Sequence, residues 1–209
     1  LMQRNELMVR RAMADVLTRL FRRLGDEALP FYYQLKDDSD SDILAAVSTT
    51  SADLRFLDVD MWAENLVELS NHELPVVRRN LVPSLREYFE TFPDDTRKLL
   101  PVMWQDGDEV VRTRMRELLI KMSDISSTQF GARITDLNQH GCDLSALWRL
   151  MDARRKGSSE AWKSWLSGEG EMPETIETMR HVSTMQAPEE LPDLSEALET
   201  LDEELGFLD

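Results

Sequence analysis

The sequence predicts an all-α protein built of stacked helical hairpins, and three observations predict it. The first is a repeat: VVRRNLVPSLREYF, beginning at Val76, returns as VVRTRMRELLIKMS at Val110, 34 residues later. The second is its continuation, because two periods earlier MVRRAMADVLTRLF, from Met8, falls into the same register. The third is the spacing inside each copy. Val9, Val77 and Val111 align, followed by Met13, Leu81 and Met115 and then by Leu17, Leu85 and Leu119. Apolar side chains four apart form one stripe of an α-helix.

Residues 1–24 read as a single such helix, the second half of a hairpin whose first half is absent. The chain also starts with Leu rather than Met, so a fragment of something longer is expected. In the next copy Ile43 and Val47 hold the apolar positions, and Leu44 stands where the other copies have arginine. Its Ser-Thr-Thr-Ser run, Ser48 to Ser51, has poor helix propensity and predicts a short, bent or displaced helix. Each helix after the first is preceded by an apolar stretch that ends in a polar turn: FYYQLKDDSDSD, MWAENLVELSNHELP and RKLLPVMWQDGDE. Leu35, Leu69 and Met103 in these stretches again differ by 34, and Leu137 and Leu144 around QHGCD mark a further copy. Asp, Asn, Ser and Gly in the turns cap helix ends and tolerate tight backbone geometry. About four hairpins therefore follow the half-unit, filling residues 1–156.

Beyond Arg155 the repeat signal stops. Residues 157–170 hold a short helix with Trp162, Trp165 and Leu166 on one face, expected to cap the apolar edge of the last hairpin. Residues 171–209 begin as a proline-containing linker and end in an acidic amphipathic segment. There Leu194, Leu198, Leu201, Leu205 and Leu208 form one seam with acids opposite, a helix that needs a groove on this protein or on a partner.

The residues resemble the HEAT-repeat family, most clearly from Leu99 to Met122, where a turn containing Asp106 precedes Val111-Arg112. The resemblance implies a right-handed α-solenoid in which each unit buries its apolar face against its neighbours. It also implies that Arg10, Arg78 and Arg112 link successive repeats by hydrogen bonds to turn aspartates such as Asp106. Asn71 stands where the family usually has Asp, and the Ile43 unit lacks the arginine.

Charge narrows the functional classes. A net charge of −16 argues against the clustered Lys and Arg with which nucleic-acid binders displace counterions. The distribution is polar: residues 1–24 hold six arginines against two acids, whereas the last 23 residues hold nine acids and no base. No apolar run approaches the ~20 residues that span a bilayer, and no secretory signal opens the chain. A lone cysteine, Cys142, excludes an intramolecular disulfide framework, so an intracellular soluble protein is expected. His140 beside Cys142 supplies two potential metal ligands where structural zinc takes four. No phosphate loop, nucleophile elbow or metalloprotease motif occurs, so no catalytic residue, cofactor or metal is nominated. The expected function is a non-catalytic protein-protein interaction scaffold whose leucine-seam tail docks to a groove. The alternatives are a C-terminal sensor or autoinhibitory region of a larger enzyme such as an ATPase and, through the five tryptophans, a HEAT-like DNA glycosylase.

Overall fold

The computed structural model describes residues 2–175, with side chains from Glu6 onward. The linker beyond Thr175 and the seam residues Leu194, Leu198, Leu201, Leu205 and Leu208 lie outside the described residues. Within them the chain is all-helical, and residues Leu1–Thr175 belong to one compact unit. No helix among the described residues is long and apolar enough to cross a membrane.

Helix α1 (Met2–Leu24) leads through a 3-10 turn, Gly25–Ala28, into α2 (Leu29–Lys36) and α3 (Ser41–Thr50). A 3-10 segment, Ser51–Phe56, then connects to α4 (Val59–Ser70) and α5 (Pro75–Thr91). Next come α6 (Pro93–Trp104), α7 (Glu109–Ile125), α8 (Ser127–Gln139), α9 (Ser145–Arg154) and α10 (Ser158–Leu166). The odd-numbered helices pack on one another in chain order, α1 on α3, α3 on α5, α5 on α7 and α7 on α9. Helices α2, α4 and α6 each lie against the helix that follows them. The contact surface between these layers is the repeating stripe: Val77, Leu81, Leu85, Val111, Met115 and Leu119 are all fully buried, as are Leu35, Met103 and Leu137 from the other layer. Val9 shares that register yet is 58% exposed, since none of the described helices covers it.

Local chemistry sets the helix lengths. Helix α3 has 10 residues where α5 and α7 have 17 each. The hydroxyls of Thr49 and Thr50 donate back to the carbonyls of Ala45 and Ala46, and Ser51 donates to that of Ser48. Such bonds compete with the regular ladder, and the chain tightens into 3-10 geometry there. Asp40, Asp58 and Asp108 cap α3, α4 and α7 by accepting two backbone N–H groups each. Helix α5 lacks a side-chain cap and begins with Pro75, whose missing N–H and fixed φ suit a first turn. Pro83 inside α5 leaves the Arg79 carbonyl without its intrahelical donor, and Arg114 of α7 fills the vacancy at 2.7 Å.

Ion pairs join the layers in a pattern two periods long. Arg10 donates to Asp38 at 2.6 Å, and Arg78 grips Asp106 through two bonds of 2.7 and 2.9 Å, each pair 28 residues apart. One residue further on, Arg11 reaches Asp40 and Arg79 reaches Asp108, each pair 29 apart. The same register between α3 and α5 offers Leu44 and Ala45 against His72 and Leu74, so cation and carboxylate are missing together. His72, rather than the expected Asn71, stands in the place of the absent aspartate and keeps one of its duties: its Nδ1 accepts from the Leu74 N–H, as Asp38 does from Asp40 and Asp106 from Asp108. Arg112 behaves differently from Arg10 and Arg78. Its register partner is His140, and it turns instead to the Asp106 carbonyl and Glu109.

These forks govern the acid response. The Arg79 guanidinium holds the Asp108 carboxyl well below the usual carboxylate range, and Arg11 does the same for Asp40. Burial pushes Asp106 up, but hydrogen bonds from Arg78 and the Asp108 N–H outweigh it, and the net shift is downward. All three carboxyls are thus depressed in the folded state. Their stabilisation is complete above the ordinary value of about 3.9 and is lost as pH falls toward the folded values. Urea midpoints should therefore hold from pH 7 to about 5 and fall steeply below about 4. The Arg79→Ala protein should show a shallower acid limb; an identical limb would remove the fork from the acid response.

At the other end, α8 and α9 hardly touch. This departs from the expected fourth hairpin: both rest on α7, and α10 packs against each of them. Trp162 of α10 is buried, edge-on to Phe130 at 4.6 Å, while Trp165 and Leu166 pack partly buried on the same core. Gly131 of α8 makes room for this helix, since a Cβ there would lie 2.9 Å from the Trp165 ring. Gly131→Ala gains helix propensity of about 1 kcal/mol but overpacks at about 1–3 kcal/mol. A net loss in thermal unfolding, with a shifted tryptophan emission, is expected; a stabilised protein would contradict the close packing.

Candidate protein-docking groove

A groove of about 640 Å³ opens between α4 and α6, which touch only lightly. Its position follows from the helix faces. On α4, Ala63 and Val67 are one turn apart; on α6, Leu99 and Val102 are three apart, so each helix turns an apolar strip toward the gap. Val67 is 40% and Val102 52% exposed, although neighbouring positions on both helices supply buried core residues. The floor is Tyr88 of α5, wedged in an aromatic cluster with Trp62 and Phe92 at centroid distances of 6.1 and 5.3 Å. Burial raises the Tyr88 phenol, with Asp95 adding to the effect, so it stays neutral at physiological pH.

The rim is polar and mostly acidic. Glu64, Glu68 and Asp95 stand around the apolar floor against one lysine, Lys98, which pairs with Asp95 at 3.3 Å. Glu68 also receives Lys36 from α2 at 2.5 Å. An apolar channel with carboxylates along its edges can take a helix or strand that buries apolar side chains and carries cations beside them.

The residues singled out from the sequence lie elsewhere. Arg10, Arg78 and Arg112 are spent on Asp38, Asp106 and Glu109 inside the fold, so they form no free basic ridge. Asp106 is buried beneath Arg78. Cys142 is buried and accepts from Gln105 at 3.3 Å, and its thiol is pushed up by burial. His140 turns its Nδ1 to the Asp136 carbonyl. No group of three potential metal ligands gathers among the described residues. Sequence reasoning missed the groove, whose only sign was a surplus of apolar residues, Val67 and Val102, outside the core stripes. It also missed the second arginine column, Arg11 and Arg79, although Asp40 and Asp108 recur at the same double period. No protein-family model, curated protein or solved structure matches the chain.

Proposed function

We propose that the chain is a HEAT-type α-solenoid acting as a non-catalytic protein-binding scaffold, and that its α4–α6 groove receives an amphipathic helix from a basic partner protein. The groove carries this reading: exposed Val67 and Val102 face one another across an apolar floor, at a scale suited to the apolar anchors of one helix. Three rim carboxylates against Lys98 and, behind Glu68, Lys36 leave the rim net negative, which on a chain of net charge −16 favours a partner whose flanks are Lys and Arg. The in-order packing of α1, α3, α5, α7 and α9 supports the solenoid reading. The acidic segment with Leu194, Leu198, Leu201, Leu205 and Leu208 is a second binding element in this scheme, supported by its leucine spacing alone.

The test uses a fluorescent helical peptide with Leu at i, i+3, i+4 and i+7 and Lys elsewhere, beside a counterpart with Glu in place of Lys. The Lys peptide should bind saturably and the Glu peptide much more weakly. Val67→Ser with Val102→Ser should weaken the Lys peptide about tenfold, the worth of two partly buried valines, with unfolding unchanged. Equal binding of both peptides, or indifference to the double substitution, would remove the groove from the function. Deleting residues 187–209 examines the tail separately; unchanged partner affinity and stability would take it out of the scheme.

A further inference from the structure

The next gap between first-layer helices repeats the groove with different chemistry. A cavity of about 410 Å³ lies between α6 and α8, walled by Arg97, Ala132, Arg133 and Asp136, with Trp165 and Met172 closing one side. In the 34-residue register Arg133 replaces Leu99, and Asp136 replaces Val102. Two apolar wall positions of one groove are thus an arginine and a carboxylate in the next.

Arg133 is only 6% exposed, and among the described residues its guanidinium donates to Asp136, from Nη1 at 3.2 Å. Its Nε is buried and has no acceptor among the described residues. The Phe89 ring, 6.0 Å from the guanidinium carbon, supplies a cation–π face but no second anion. Arg97 approaches the same Asp136 at 3.5 Å, so two guanidinium groups share one buried carboxylate. Asp94 lies 3.8 Å from Arg97 but is almost wholly in water, where its charge is screened. Desolvation lowers the Arg133 pKa, and Arg97 lowers it further by repulsion, while Asp136 opposes both. The buried Arg133–Asp136 pair thus borders open space with an orphaned Nε–H and a second, largely exposed cation, Arg97, beside it, and a buried donor of this kind is costly unless something meets it.

We propose that the α6–α8 cavity is an oxyanion site in which Arg133 and Arg97 together hold a carboxylate or phosphate group supplied by a ligand. A planar guanidinium presents paired N–H donors that match both groups, and the second arginine offsets the repulsion that the ligand would otherwise feel from Asp136. Trp165 gives the ligand an apolar wall. The site stands independently of peptide docking between α4 and α6.

The experiment follows the arginine Nε–H resonances of the full chain by NMR during titration with sodium phosphate and, separately, sodium acetate, with chloride holding ionic strength constant. A saturable shift of the Arg133 resonance is expected. Saturation by phosphate alone identifies a phosphate-bearing ligand, by acetate alone a carboxylate-bearing one, and by both a general oxyanion site. Linear drift with both anions overturns the proposal. Because Arg133→Met removes a buried group and can unfold α8, the decisive variant is Arg97→Gln, an exposed position. It should weaken the anion about tenfold, the worth of one charge-assisted bond, while thermal unfolding stays unchanged. Unchanged affinity in Arg97→Gln would mark an adventitious ion only and defeat the two-arginine site.

Discussion

Trp62→Ala is expected to destabilise the protein by about 3–5 kcal/mol, the usual cost of emptying a large buried aromatic site. Trp62 is essentially inaccessible and touches Tyr88 and Phe92, so its removal opens a void beneath the α4–α6 groove. Tyr88 of α5 and Phe92 at the α5–α6 junction border that space, and each is held by its contact with the other. The indole N–H has no acceptor among the described residues, which separates two effects. Trp62→Phe keeps most of the volume and deletes an unsatisfied donor, so it should cost under about 1.5 kcal/mol. Urea unfolding of both variants checks the pair of values. A Trp62→Ala loss below that of Trp62→Phe would contradict the packing described, and the Lys-rich helical peptide should lose affinity in the alanine variant as the floor gives way.

Asp106→Ala should cost about 3 kcal/mol, because breaking one half of a buried pair leaves the other charge uncompensated. Arg78 loses both bonds to the carboxylate, and the Asp108 N–H loses its acceptor. For a chain of this size the melting temperature should fall by roughly 6–12 °C. Arg78→Ala removes the same pair together with bonds to the His72 and Glu73 carbonyls. In a double-mutant cycle the combined loss should be smaller than the sum of the single losses by at least about 1 kcal/mol. Arg11→Ala at the more exposed fork should cost well under half as much, because water screens that pair. Additive losses at Arg78 and Asp106 would mean that the two side chains act separately.

The helices were legible in the sequence because their burial is periodic. Leu81, Leu85, Met115 and Leu119 each recur 34 residues from an apolar equivalent, and all four are fully buried. Even the weak copy could be read: Ser48, Thr49 and Thr50 announce a helix that gives way, and it does so at Thr50. The opened α8–α9 pair was not legible, because it depends on how α10 meets Phe130, a contact between segments that share no repeat position. The groove escaped for a different reason. Core stripes repeat because every copy must bury them, whereas Val67 and Val102 face outward and answer to no packing rule. Arg133 could have been found, since the register that aligns Leu137 with Met103 also sets it opposite Leu99. An arginine in an apolar column is an anomaly that a single sequence can expose.

The missing cation and carboxylate between α3 and α5 carry one last consequence. Helices α5 and α7, bolted together by Arg78, Arg79, Asp106 and Asp108, each carry one jaw of the α4–α6 groove on their backs, α4 and α6 respectively. The jaws therefore inherit a span fixed by rivets set behind them rather than by their own slight contact. The joint at α3 is spanned instead by an uncharged bond, from the Asn80 amide to the Ala45 carbonyl at 3.0 Å, so it lacks the acid sensitivity of the forks that set this span.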